Sequence, residues 1–216
     1  MLETVAVNVG VPRLLGHRQG EKVYSGIAKS PVPIGTSLWL SLFNLAGDGQ
    51  ADLSVHGGLD KAVYSYPSEH LAQWESDLDE TLGAAPFGEN LSTRGALEGD
   101  VCIGDLWRWD QAVLQVCQPR WPCFKLALYR GRSDVQAKMR DSGFTGWYLR
   151  VLEPGEVKVG SQLEVIQRDP AGLSVADAHQ AMADRHLNNR ILIERLANHD
   201  ALADEWRIPL RERLGG

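Results

Sequence analysis

A single thiol follows two prolines and lies between two cations in segment 118–125, which reads QPRWPCFK. The thiolate form of cysteine is both a nucleophile and a soft metal ligand, and the positive charges of Arg120 and Lys125 favour the thiolate of Cys123 over the thiol. Each proline fixes its own φ and moves the preceding residue away from helical conformation, so we expect a stiff, extended loop. The segment therefore predicts a nucleophilic or metal-binding site at Cys123.

A buried structural cysteine is the alternative interpretation of Cys123, because Cys is among the residue types most often buried. Two cations next to it, Arg120 and Lys125, argue against that alternative, since charged side chains are unfavourable in a core.

A glycine pair in segment 55–58, VHGG, offers a second chemical feature. Gly57 and Gly58 form a tight turn that can bring backbone N–H groups close to an anion, and His56 and Lys61 flank this turn. A plain β-hairpin would show the same residues. By itself this cluster leaves an oxyanion site and a hairpin equally open.

Segment 87–92, FGENLS, sets a glycine before an acid, an amide and a hydroxyl. Glu89 and Asn90 provide donors and acceptors that can hold a polar heterocycle. The alternative is a loop whose side chains cap its own backbone.

Composition narrows the class of protein. The 216 residues carry a net charge of −6, with 44% hydrophobic and 23% charged residues, which is ordinary for a globular chain. A negative balance argues against a general nucleic-acid binder. Three cysteines without regular spacing indicate a reducing compartment, and the sequence shows neither a signal peptide nor an apolar run of membrane-spanning length. We therefore expect a cytoplasmic protein without nucleic-acid or membrane partners.

The hydrophobic pattern predicts a mainly β domain over residues 1–168 and a helical extension over residues 170–216. Short segments rich in Val, Leu, Trp and Tyr favour a closed barrel or a sandwich, with one crossover helix from Pro67 to Leu78. The predicted strands are Thr4–Val9, Leu38–Leu42, Val63–Tyr66, Leu106–Trp109, Ala112–Val116, Tyr148–Leu152 and Leu163–Ile166. We expect residues 13–29 to be a mobile loop that contributes to substrate choice, with Lys22 and Tyr24 near the site.

The extension is predicted to hold three helices. Ser174 and Asp177 have the spacing of a capping box at the start of the first helix. The other two helices are expected over 188–197 and 201–214, the last one kinked or broken by Pro209. Six Arg and seven acidic residues nearly balance, which favours helices that dimerise or cover the barrel over a DNA-reading unit.

The remaining cysteines and the tryptophans are predicted to pack. The six-residue separation of Cys117 and Cys123 does not match a zinc pair, so we interpret Cys117 as a packing residue and Cys102 as a core residue. We expect Trp107, Trp109 and Trp147 to pack, and Trp121 to wall the pocket beside Cys123.

Taken together and in this order, the three motifs resemble the MOSC domain family, and most of all its YiiM-like branch. The resemblance continues through segments 146–152 (GWYLRVL) and 155–157 (GEV), and the tail resembles the three-helix extension of that branch. It implies a closed β-barrel-like domain that binds a molybdenum cofactor of the molybdopterin type, with Cys123 as the metal ligand. The implied activity, independent of pyridoxal phosphate, is the reduction of N-hydroxylated compounds such as hydroxylaminopurines, which would serve detoxification.

Site roles follow from the same resemblance. Cys123 and His56 would be catalytic, with His56 delivering a proton as the N–O bond breaks. Cations would pair with the phosphate or the oxo ligands of the cofactor. The residues expected to bind the cofactor are Arg120, Lys61, Lys125, Gly57, Gly58, Asn90, Glu89 and Gln118.

The sequence contains no cysteine cluster for an iron–sulfur centre and no dinucleotide-binding glycine motif. An oxidoreductase of this kind would need a separate flavin or iron–sulfur protein as electron donor. A non-catalytic carrier of the cofactor, or of its sulfur, is the alternative, and a plain phosphate or sulfate binder is a third interpretation that leaves Cys123 without a role. The apolar positions of the tail suggest a homodimer.

Overall fold

The computed structural model describes residues 2–51 and 57–215. Within these ranges the strands, in chain order, are β1 Glu3–Val9, β2 Arg13–Arg18, β3 Glu21–Ser25, β4 Ser30–Pro31, β5 Ser37–Leu40, β6 Val63–Pro67, β7 Leu91–Arg94, β8 Leu106–Trp109, β9 Ala112–Pro119, β10 Trp147–Glu153, β11 Gly155–Lys158 and β12 Leu163–Gln167. The α-helices are α1 Leu71–Leu78, α2 Phe124–Arg130, α3 Val135–Ser142, α4 Val175–Ala183, α5 Arg190–Ala197 and α6 Asp204–Gly215.

The fold is mainly β, as predicted. Eight strands form one sheet in the order β12-β8-β9-β10-β6-β7-β1-β4. Its ends curl toward each other, since Leu2 and Leu163 exchange two backbone hydrogen bonds of 3.2 Å beside β1 and β12. Strands β5 and β11 pair with each other, as do β2 and β3. The result is the barrel-like architecture expected from the sequence.

All seven predicted strands are present with small shifts in their ends, and five others were missed. One of these, β4, has only two residues, which gives too short a pattern for recognition. The predicted loop over residues 13–29 is wrong, because β2 and β3 form an antiparallel hairpin there. Both strands are largely exposed, so they lack the apolar alternation that marks a half-buried strand.

Strand β6 separates two cores, which explains why all five of its residues are buried. Successive side chains of a strand point to opposite faces. Val63 belongs to the barrel core, whereas Tyr64 and Tyr66 pack in a second core with side chains of α1, α2 and α3. The predicted crossover helix is α1, which connects the parallel neighbours β6 and β7. Its N-terminal turn, Ser68–His70, is a 3₁₀ turn.

Helices α2 and α3 were not predicted. Each has only seven or eight residues, and each ends at a glycine in left-handed conformation, Gly131 (φ 65°) and Gly143 (φ 73°). Glycine at that position is the usual C-terminal signal of a helix. Helix α2 also corrects one detail of the cysteine segment, since Phe124 and Lys125 begin a helix and are not part of an extended loop.

The tail forms three helices, and the predicted capping box is confirmed. Ser174 accepts a hydrogen bond from the Asp177 N–H, and Asp177 accepts one from the Ser174 N–H. Helix α6 runs through Pro209 without a break, so the predicted break is wrong, while the predicted kink stays a prediction. Proline in a helix removes one N–H donor, and here the packing of Trp206 and Leu210 in the barrel core keeps the helix formed.

The tail helices and the barrel share one hydrophobic core. Val175, Leu196 and Trp206 belong to the same buried cluster as Trp107 and Trp147. The division at residues 168–170 therefore lies within a continuous core, and a boundary there stays a prediction. Among the described residues, no helix has the length and apolarity needed to cross a membrane.

Candidate functional site

The Cys123 segment links the end of β9 to the start of α2. Gln118 and Pro119 still pair with β10, and the Arg120 N–H donates to the Gly146 carbonyl (3.2 Å). Cys123 is extended (φ −113°, ψ 171°) and immediately precedes α2. The extended backbone leading to the cysteine is confirmed, and the sheet and the helix together fix its position.

A cavity of about 210 Å³ lies beside Cys123. Six of the residues predicted for the site line it, namely Cys123, Arg120, Lys61, Lys125, Gln118 and Asn90. Of the described candidates, Gly57, Gly58 and Glu89 do not border this cavity. His56 lies outside the described residues. The structure therefore brings the thiol and three predicted cations to one space, while their roles stay predictions.

Arg120 is buried, and its guanidinium is held in place by neighbours on two sides. Its Nη1 donates to the Phe87 carbonyl (2.7 Å) and to the Tyr64 hydroxyl (3.2 Å), and the group lies 4.9 Å from the Tyr64 ring centroid. Burial alone would lower the pKa of Arg120, but the electrostatic effects of Tyr64, Tyr148 and Cys123 outweigh it and raise that pKa. Arg120 is thus a fixed positive charge close to Cys123.

Asn90 borders the cavity but uses its side chain to join three segments of the barrel. Its Oδ1 accepts from the Tyr64 N–H (3.1 Å), while Nδ2 donates to the Asn8 carbonyl (3.2 Å) and to Asp48 (2.9 Å). An amide has two N–H donors and one acceptor oxygen, so these three hydrogen bonds use both donors and the oxygen of Asn90. In this structure Asn90 shapes the wall of the cavity.

Glu89 lies beneath the wall and is 1% exposed. It accepts hydrogen bonds from the Phe87 N–H (3.1 Å) and from the Ser92 hydroxyl (3.3 Å). Burial raises the pKa of Glu89, although these hydrogen bonds and Arg120 oppose the shift. The carboxyl group supports the loop that carries Asn90.

Lys29 and Asp48 form a buried ion pair that borders the cavity and that the sequence did not indicate. Asp48 also accepts from the Gly10 N–H (2.8 Å) and from Asn90. Burial lowers the pKa of Lys29, while Asp48 and Glu89 act in the opposite direction. Neither residue lies in a recognisable motif, so no local signal marked them.

Lys61 is placed by the glycine turn and is paired with the last helix. The Lys61 N–H donates to the carbonyl of Gly58 (3.2 Å), whose φ of 92° lies in the left-handed region that favours glycine. The predicted tight turn is therefore present. The ammonium forms an ion pair with Glu205 of α6, which also borders the cavity. Sequence reasoning missed Glu205, since nothing in the tail pointed to the barrel site.

Tyr64 and Tyr148 complete the polar wall, with ring centroids 5.1 Å apart. Burial raises the pKa of Tyr148 to about 12; Arg120 lowers it, whereas Cys123 and Glu205 add to the increase. Both hydroxyls therefore keep their protons near neutral pH. Tyr148 stands within the motif GWYLRVL, but only the pairing of β10 with β9 shows that it reaches the cavity.

The three cysteines have different surroundings. Cys117 is fully buried, its thiol donates to the Asp60 carbonyl (3.1 Å), and burial raises its pKa to about 12. This agrees with the packing role predicted for it. Cys102 is half-buried rather than in the core, and its backbone forms an isolated β-bridge with Ser174. Cys123 is also half-buried, and it is the one that borders the cavity.

The predicted packing of tryptophans is confirmed for Trp107, Trp109 and Trp147, which are fully buried. Trp121 walls the cavity, as expected, and lies 5.8 Å from the ring of Trp206. Trp121 and Glu205 also border a neighbouring groove of about 1130 Å³ between the tail helices and the barrel. The two spaces therefore adjoin at these two side chains.

Sequence and structure comparisons place the chain among known proteins. The model of the MOSC domain matches residues 52–164. The chain is 44% identical over 203 residues to the uncharacterized protein YflK of Bacillus subtilis, covering 94% of this chain and 90% of that protein. It is 40% identical to the protein YiiM of Escherichia coli, covering 75% and 72% of the two chains.

Two further similarities extend the comparison. The crystal structure of YiiM from Geobacillus stearothermophilus superposes with a TM-score of 0.81 at 32% identity, covering 99% of this chain and all of that one. A protein of Gibberella moniliformis named "Reductase" is 30% identical over 73% of this chain, which corresponds to 28% of that longer protein.

Proposed function

Because this chain belongs to the MOSC domain family, whose domain binds the molybdenum cofactor, we propose that it holds a cofactor of the molybdopterin type at Cys123 and reduces N-hydroxylated compounds. One observation carries this proposal. The half-buried thiol of Cys123 shares a cavity with Arg120, Lys61 and Lys125. A soft ligand beside three cations suits a soft metal centre that bears anionic groups.

The residues around the cavity fit such a group. Gln118 borders the cavity, and its Oε1 is buried without a hydrogen-bond donor among the described residues. A buried polar atom without a partner is unfavourable, so a ligand with an N–H group would satisfy it. Pterin rings carry such donors.

The donor set around Cys123 also fits a metal that arrives with its own ligands. Within residues 2–51 and 57–215, no group of three or more His, Cys, Asp or Glu side chains is arranged to hold a metal ion. A metal at Cys123 would take one thiolate from the protein and its other ligands from the cofactor. This is the donor set of a cofactor-borne metal and differs from the multi-residue sets of structural zinc sites.

The reaction itself is a two-electron reduction in which R–NHOH, two electrons and two protons give R–NH₂ and water. When bound, the cofactor supplies the redox step, and the protein supplies binding, orientation and electrostatics. Arg120 would hold an anionic group, since its guanidinium is fixed by Phe87 and Tyr64. Tyr148 keeps its hydroxyl proton near neutral pH and presents it at the cavity wall.

His56 is proposed as the proton donor for the departing hydroxyl, because the ordinary pKa of imidazole suits proton transfer near neutrality. The fungal relative named "Reductase" supports the oxidoreductase class. A separate flavin or iron–sulfur protein would supply the electrons. We also propose a cytoplasmic location and a homodimer formed through the tail.

The test compares the wild-type chain with Cys123→Ala and with Cys102→Ala as the matched control, all purified from a molybdate-fed host that makes the cofactor. Molybdenum is measured by mass spectrometry and the pterin by fluorescence after oxidation. We expect near-stoichiometric cofactor in the wild type and in Cys102→Ala, and its loss in Cys123→Ala. Full cofactor in Cys123→Ala would remove the ligand role.

Turnover distinguishes the reductase from the carrier. A hydroxylaminopurine and an artificial electron donor are added to the loaded protein, and formation of the amine is followed. Amine formation supports the reductase. Transfer of the cofactor to an apo-enzyme without any turnover would support the carrier instead.

A further inference from the structure

The last helix contributes an acidic side chain to the cysteine cavity. Glu205 of helix α6, in the tail, forms an ion pair with Lys61, which lies in the barrel domain. The Lys61 side chain is 11% exposed, whereas the Glu205 side chain is 52% exposed. The lysine is thus held in the wall, while the carboxylate has room to leave.

Among the described residues that line the cavity, cations outnumber acidic residues. Its cations are Lys29, Lys61, Arg120 and Lys125, and the acidic residues among its described lining are Asp48 and Glu205. Asp48 is 2% exposed and is bound by Lys29, Asn90 and the Gly10 N–H. A carboxylate with three buried partners cannot move aside without leaving them unpaired. Of these two described acids, Glu205 is therefore the one that an incoming anion can displace.

We propose that Glu205 sets the affinity of this cavity for anionic ligands by competing with them for Lys61. The ligand class is a phosphate monoester or a comparable oxyanion. The inference rests on the proposed function in that the phosphate or oxo group of the cofactor would be the natural competitor. Since Glu205 pairs with Lys61 in the present structure, an anion that binds at Lys61 has to displace this carboxylate.

The position of Glu205 gives the displaced carboxylate a destination. Glu205 and Trp121 border both the cavity and the adjoining groove, and the groove is also lined by Arg185 and Arg213. Turning from Lys61 toward the groove would keep the carboxylate near positive charge. It would also open the 210 Å³ cavity, which is smaller than typical ligand sites of roughly 300–1,000 Å³, toward the larger space.

Phosphate binding to the full-length, cofactor-free chain tests the inference. The dissociation constant for inorganic phosphate is measured by calorimetry at constant ionic strength for the wild type, Glu205→Gln and Glu212→Gln. Glu212 is an exposed acid on the same helix, so its variant controls for the change in net charge. We expect Glu205→Gln to tighten phosphate binding by about threefold to tenfold, and Glu212→Gln to leave it unchanged, because of these two acids it is Glu205 that pairs with Lys61.

Lys61→Met provides the second arm. It should weaken phosphate binding. In the Lys61→Met background, Glu205→Gln should have no further effect, since the ammonium for which Glu205 and phosphate compete is absent. Weaker or unchanged binding in Glu205→Gln alone would overturn the inference, as would the absence of phosphate binding by the wild type at millimolar concentration. Circular dichroism confirms that each variant is folded.

The two proposals fail in different ways. Phosphate binding needs no molybdenum. If the wild-type chain contained no cofactor after purification from cofactor-replete cells, the proposed function would be removed, while the competition between Glu205 and phosphate could still be measured. A cofactor-loaded wild type combined with an unchanged phosphate affinity in Glu205→Gln would remove the competition alone.

Discussion

The Arg120 guanidinium donates a hydrogen bond of 2.7 Å to the backbone carbonyl of Phe87. The N–H of Phe87 in turn donates to the Glu89 carboxylate. This backbone unit connects the cysteine segment to the loop over residues 87–90. Segment 118–125 and segment 87–92 are thereby held together as one wall of the cavity.

Arg120→Lys should lower the free energy of unfolding by about 2–4 kcal/mol. Lysine cannot reproduce the planar contacts of the guanidinium with Phe87 and the Tyr64 hydroxyl, so buried acceptors lose their donor. Urea unfolding measures the change. The control is Arg108→Lys on the exposed face of β8, for which we expect a change below about 0.5 kcal/mol. Equal stabilities of the two variants would show that the guanidinium contacts do not support the wall.

Gly88→Ala should destabilise the protein by about 2–4 kcal/mol. A Cβ at Gly88 would lie 2.5 Å from Ile27 Cγ1 and 2.9 Å from the Ile27 carbonyl oxygen, at a φ of +80°. Gly83→Ala is the control, since a Cβ there meets nothing within 4 Å. Thermal unfolding of both variants provides the measurement. If Gly88→Ala melted at the wild-type temperature, the close packing of residues 27 and 88 would be incorrect.

The thiols should react with iodoacetamide in a fixed order at pH 8. Cys117, with a pKa of about 12, would be thiolate in about one molecule in ten thousand and should be modified only after unfolding. Burial, followed by the effect of Asp105, raises the pKa of Cys102, so Cys102 should react more slowly than Cys123, which has Arg120 nearby. Peptide mass spectrometry gives the rates. Labelling of native Cys117 as fast as that of Cys123 would contradict this assignment.

Glu89→Gln should flatten the pH dependence of stability. Because burial raises the pKa of Glu89 in the folded state, the native protein holds this proton more tightly than the unfolded chain does. The stabilising contribution is then fully present below the unfolded pKa near 4.5 and is lost as the pH rises through the folded pKa. The stability of the variant relative to the wild type should therefore increase from pH 4 to pH 7.

Urea unfolding at four pH values in this interval checks the Glu89 prediction. Glu164→Gln, an exposed position on β12, serves as the control and should follow the wild-type pH dependence. A Glu89→Gln variant with the wild-type slope would mean that Glu89 is not the group responsible.

Features that depend on neighbouring residues were predictable. Prolines fix backbone torsion locally, so the extended approach to Cys123 followed from residues 118–123 alone. The Gly58 turn and the Ser174 cap are likewise defined within four residues. The exposed hairpin of β2 and β3 was missed because it lacks the apolar alternation that sequence patterns require.

The sequence by itself determined the mainly β class of the fold and placed Cys123 between Arg120 and Lys125, since residue types and short spacings specify both. Only the tertiary structure decided which distant groups share the cavity, namely Lys29, Asp48, Tyr148 and Glu205. Their positions depend on the pairing of β10 with β9 and on the packing of α6 against the barrel core. Such contacts join residues far apart in the chain. Burial of apolar surface is non-directional, so a local pattern shows which residues are buried but not which distant segments they pack against.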